Sequence, residues 1–83
     1  MASTVERGKM IREVILREIV GYIEVHGYPP TMREIGKLVG LKSIANVHRH
    51  IEIMRDLGMI ETDEEKVSAR AIRVPGYRFV KEE

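Results

Sequence analysis

The chain has 83 residues, of which 14 are basic, 13 are acidic and none is cysteine. A chain this short makes one small domain that buries only about 60% of the surface its unfolded form exposes, and the lack of cysteine excludes disulfides and thiolate metal sites, so a cytoplasmic setting is expected. A net charge of +1 leaves a nucleic-acid partner open, while no apolar run approaches the roughly 20 residues of a membrane-spanning helix, so no membrane partner is expected.

Residues 1–8, MASTVERG, carry no motif and read as a lead-in or as the first turn of the helix after them. From about 9 to 26, Ile11, Ile15, Ile19 and Ile23 recur every four positions, flanked by Val14, Leu16 and Val20, which predicts a long amphipathic helix with a wide apolar arc. Gly27 stops it. Tyr28-Pro29-Pro30 is a stiff extended connector, because each proline fixes its own φ and pushes its predecessor out of the helical region.

Thr31 and Glu34 have the spacing of a capping box, opening a second helix over about 32–39. Gly36 is out of place in a helix, where glycine costs about 1 kcal/mol relative to alanine. Its missing side chain is expected to let two backbones approach across a tight turn. Gly40 ends the helix and turns the chain through Gly40-Leu41-Lys42, after which Ser43 caps a third helix over about 44–57. Its apolar stripe is Val47, Ile51 and Met54, while Ala45, Asn46, His48, Arg49 and Glu52 face outward. Beyond Gly58, strands are expected at about 59–61 and 71–74, joined by a charged turn, with a tail over 75–83. The expected fold is mainly α with a small β-hairpin: a three-helix winged helix-turn-helix over residues 1–74.

The distribution of charge says more than its total. Between Thr31 and Arg55 there are five basic residues, Arg33, Lys37, Lys42, Arg49 and Arg55, against Glu34 and Glu52. That segment is net +3 and the remainder is −2, although an ordinary solvated helix face would look much the same.

The residues themselves resemble one family, the N-terminal DNA-binding domain of LexA-type repressors. The run from Gly27 through Tyr28-Pro29-Pro30-Thr31-Met32-Arg33-Glu34-Ile35-Gly36 is similar to its GxPPTxxEI signature. Val39-Gly40-Leu41-Lys42-Ser43 resembles its turn, and Val47-His48-Arg49-His50-Ile51 the VHxHL of Gram-positive members. Leu57-Gly58-Met59-Ile60 and Ala69-Arg70-Ala71-Ile72 continue the likeness through the wing. The resemblance implies a bacterial or phage transcriptional repressor of the SOS type that binds double-stranded DNA. Family members continue into a self-cleaving, dimerising Ser-Lys domain, which this sequence does not reach, so self-cleavage is not expected of it. Nor does the 74–80 stretch look like the family's hinge, which favours a small stand-alone regulator.

Base reading is expected from the outward face of the third helix, through Ser43, Ala45, Asn46, His48 and Arg49. Asparagine can pair bidentately with adenine and arginine with guanine, and alanine can touch a thymine methyl. Without the resemblance, a solvated surface arginine is the simpler reading of Arg49. Phosphate contacts are expected from Thr31 and Arg33, where the helix dipole favours an anion although capping alone also explains Thr31, from Lys42, a turn lysine with little packing to do, and from Lys66 and Arg70 in the wing. Asp63, Glu64 and Glu65 would repel phosphate there.

No cofactor, metal or small-molecule ligand is expected. Residues two apart on a helix, such as His48 and His50, diverge too far to chelate one ion, and His50 leans toward the apolar stripe. His26 is expected as a C-terminal cap of the first helix. Ser3, Ser43 and Ser68 have no convergent base and no phosphate-binding glycine loop occurs, so catalysis is not expected. One module reads few base pairs, which favours an inverted-repeat operator bound by a weak homodimer. The rival reading is a winged helix that binds an acidic protein partner, as an antirepressor or adaptor.

Overall fold

A computed structural model describes residues 4–62 and 72–76 of the chain. Three helices, α1 (Thr4–His26), α2 (Met32–Val39) and α3 (Ile44–Asp56), precede a two-stranded antiparallel hairpin of β1 (Glu61–Thr62) and β2 (Ile72–Arg73). This is a mainly helical winged helix-turn-helix.

The first helix starts at Thr4, ahead of the expected residue 9, so residues 4–8 are its first turns. Glu6 lies in the first turn, where the macrodipole favours an acid. Gly8 does not break the helix, since its bare face is covered by the Arg12 guanidinium, 3.0 Å from where a Cβ would stand. Along α1, Ile15, Ile19 and Ile23 are buried, and they meet Met32 and Ile35 of α2 and Val47, Ile51 and Met54 of α3 in one core. Ile60, Ile72 and Val74 close that core from the hairpin side. Among the described residues no polar side chain is buried.

Local chemistry explains each boundary. Thr31 accepts the Glu34 N–H at 3.1 Å while the Glu34 carboxylate accepts the Thr31 N–H at 2.8 Å, which completes the capping box. The second carboxylate oxygen of Glu34 accepts from Tyr22 Oη at 2.7 Å, tying the start of α2 to α1. His26 lies in the last turn of α1 and packs its ring against Tyr22 and Tyr28, with centroids 4.1 and 5.7 Å away.

At the far end of α2, Gly40 takes φ 77°, and its N–H and that of Leu41 both donate to the Gly36 carbonyl. The turn thereby folds over Gly36, and a Cβ there would stand 2.8 Å from the Leu41 carbonyl oxygen and 3.3 Å from Val47 Cγ2. The close approach expected of Gly36 is the geometry found.

Helix α3 ends at Asp56, with Leu57 as its cap and Gly58 at φ 76°. Gly58 N–H donates to the Arg55 carbonyl at 3.0 Å and Met59 N–H to the Met54 carbonyl at 2.9 Å, the paired bonds of a Schellman ending. That pairing moves the first strand. Met59 was expected in it, but its N–H is committed to α3, so the ladder begins at Glu61, which pairs with Arg73 while Thr62 pairs with Ile72. Residues 71 and 74 were expected in the second strand. Val74 is buried outside the ladder, just before Pro75, and residue 71 lies outside the described residues.

Candidate nucleic-acid interface

The turn between α2 and α3 fixes the relation of two groups of side chains. Ser43, the N-cap of α3, accepts the Asn46 N–H at 3.3 Å and is exposed. Ala45, Asn46 and Arg49 are also exposed, while Val47, Ile51 and Met54 on the other side of the helix are fully buried. The first two turns of α3 therefore present a continuous polar face because their apolar stripe is held by the core. His48 is half-exposed on the same helix, with Nδ1 3.3 Å from Glu52 Oε1 one turn later.

The second group is cationic. Arg33 and Lys37 are exposed four residues apart on α2, the spacing that puts two side chains on one face. Lys42 is exposed in the turn. Together with Gly36, Gly40, Leu41 and Ile44, these three line one open depression beside the start of α3. Among the described residues none of the three takes part in an ion pair. Thr31, at the N-terminus of α2, is half-buried, with its hydroxyl oxygen accepting the Glu34 N–H. That leaves its single O–H to donate elsewhere.

The LexA DNA-binding domain family matches residues 10–71, most of the chain. The chain belongs to this family. It is 42% identical over 66 residues to the LexA repressor of Lacticaseibacillus casei (strain BL23), a stretch covering 80% of this chain and 32% of that protein. To the LexA repressor of Ligilactobacillus salivarius (strain UCC118) it is 40% identical over 68 residues, covering 82% and 33%. To that of Oenococcus oeni (strain ATCC BAA-331 / PSU-1) it is 41% identical over 78 residues, covering 94% and 34%. The chain thus spans about a third of the length of the curated relatives it matches.

In this LexA-type domain, the positions expected to touch DNA divide by place. Ser43, Ala45, Asn46, His48 and Arg49 share α3 and its cap; Arg33 and Lys42 share the depression, and Thr31 caps the helix that carries Arg33. Lys66 and Arg70 lie outside the described residues.

Two residues of the same surface escaped the sequence reading. Lys37 enters the sequence reading as charge only, although its spacing from Arg33 is a signal that it shares that residue's face. Ile44 falls in phase with the buried stripe, three residues before Val47, yet it is 47% exposed and lines the cationic depression. Periodicity gave no means of finding it.

His50 is half-buried, and its Nδ1 lies 3.4 Å from Arg12 Nη1 of α1. Burial holds its pKa below the usual histidine value, and the Arg12 and Arg49 charges lower it further. The contact links α1 to α3. The described residues contain no cluster of side chains able to hold a metal ion, and no described helix is long and apolar enough to cross a membrane.

Proposed function

We propose that the chain is the sequence-specific, double-stranded-DNA-binding part of a LexA-type repressor acting in the cytoplasm, which reads the major groove with the N-terminal half of α3. The observation that carries this reading is the capped α3, whose exposed donor and acceptor face adjoins a depression ringed by three cations with no ion-pair partner among the described residues. Asn46 and Arg49 supply the bidentate pairs, Ala45 the apolar contact, and Ser43 and His48 adaptable hydrogen bonds, His48 through Nε2 because Nδ1 faces Glu52.

Phosphates are held by Thr31, Arg33 and Lys42, and in the wing by Lys66 and Arg70. Arg33 supports the phosphate role because it stands in the first turn of α2, where the dipole disfavours a cation until an anion docks beside it. Two copies are proposed to occupy an inverted-repeat operator, making a weak contact through exposed Met10 and Val14 of α1 or through the 75–83 segment.

A mobility-shift titration with random-sequence duplex tests DNA binding against the rival protein-interaction module. Affinity that falls steeply as salt rises from about 50 to 200 mM is the expected result, because phosphate binding releases counterions. Absence of a complex at low salt would overturn the proposal.

A further inference from the structure

The depression between α2 and the turn is not simply a charged surface. Its lining joins the exposed cations Arg33, Lys37 and Lys42 to residues that are apolar or bare, the buried Gly36, half-buried Leu41 and exposed Ile44. A half-exposed isoleucine at the first position of a helix has no packing role on its outer side. Lysine at residue 37 complements the C-terminal dipole of α2, but that role needs no neighbouring Arg33 or Lys42.

We propose, resting on the DNA-binding reading above, that this depression seats one sugar-phosphate unit of the DNA backbone. Lys37 joins Arg33 and Lys42 on the phosphate, and Leu41 and Ile44 lie against the apolar face of the adjoining deoxyribose. The three cations attract any anion, and two features favour this occupant over a free one. Leu41 and Ile44 match the carbon face of a sugar, which inorganic phosphate lacks. The seat is also continuous with Ser43 and the first turn of α3, so a strand lying in it delivers its bases to the reading face. Gly36 has a second role in this arrangement, since a side chain there would displace the Leu41 carbonyl, and Leu41 lines the depression.

The consequence is a division of labour that can be measured. Lys37 contributes charge without sequence information, whereas Ile44 contributes contact area without charge. The experiment compares the 83-residue chain with Lys37→Gln and Ile44→Ser in salt titrations on several unrelated duplexes, with thermal melting of each variant alongside. Lys37→Gln is expected to flatten the slope of log affinity against log salt by about one unit, equally for every duplex. Ile44→Ser is expected to weaken binding about tenfold, from the apolar area of one half-exposed side chain, with the slope unchanged. Both residues are exposed enough that the melting temperature should stay near that of the parent.

A Lys37→Gln variant with the parent's salt slope would overturn the seat, as would Ile44→Ser binding with the parent's affinity. So would a lowered melting temperature for Lys37→Gln with unchanged binding, since dipole complementation alone would then account for the residue. A loss confined to some duplexes would show base reading instead of backbone seating, which also overturns it. Failure of the parent chain to bind any duplex would instead remove the DNA-binding reading on which the seat depends.

Discussion

Replacing Ile51 by alanine removes a side chain with no exposed surface at the meeting of all three helices. The expected loss is about 2 to 5 kcal/mol, set by the transfer free energy plus the cavity left behind. Thermal or denaturant unfolding reads it, and near-normal stability would mean that the stripe is not packed as described. Gly36→Ala makes the opposite test. Helix propensity alone gains about 1 kcal/mol from that change, but the new Cβ would stand 2.8 Å from a backbone oxygen that belongs to the turn. Overpacking of this kind costs about 1 to 3 kcal/mol, so the variant should be no more stable than its parent. A clear gain in melting temperature would show that the turn yields freely. Gly36 was legible in the sequence because a glycine inside a helix breaks a local rule, and a broken rule asks for a neighbour. Ile44 was not, because periodicity assigns a phase to a residue and says nothing about whether the core extends far enough to cover it.

Elements tell the same story through their ends. Helix boundaries at Thr31, Gly40 and Ser43 could be read directly, since capping depends on residues three or four apart. The hydrogen bond from Tyr22 to Glu34 could not, because it joins two helices that sequence alone does not place side by side. The hairpin register was legible only approximately: the Schellman bond of Met59 draws two residues out of the expected first strand. Between α1 and α3 the contact of Arg12 with His50 makes a prediction about pH. The folded pKa of His50 lies below its ordinary value of 6.5, through burial first and then through Arg12 and Arg49. The unfolded chain therefore takes up the proton first as pH falls, and the stability supplied by neutral His50 is full above about 6.5 and declines below it. Melting temperature measured from about pH 7.5 to 5.5 should fall more steeply for the parent than for His50→Gln. Parallel curves would remove His50 from the α1–α3 link.

At the scale of the whole molecule, a net charge of +1 conceals a basic helix-turn-helix carried by an otherwise acidic chain. That asymmetry favours one docking face, and on the proposed reading it steers the chain toward DNA. The α3 proposed to read bases would cover too few base pairs for a genome, so occupancy of two half-sites is expected to be linked, protein on one raising the effective concentration at the other. Sedimentation of the free protein, beside titrations of a full site and an isolated half-site, should show weak self-association and tighter binding to the full site. Equal affinity for both duplexes, with one protein on each, would remove the dimer while leaving DNA binding intact. Base reading by α3 is tested most directly by selecting bound duplexes from a random-sequence library with the parent chain, Arg49→Ala and Asn46→Ala in parallel. The expected result is a defined motif for the parent, with each variant losing preference at its own position at a cost of about 1 to 3 kcal/mol. A parent pool that stays random, or one motif returned unchanged by all three proteins, would contradict it.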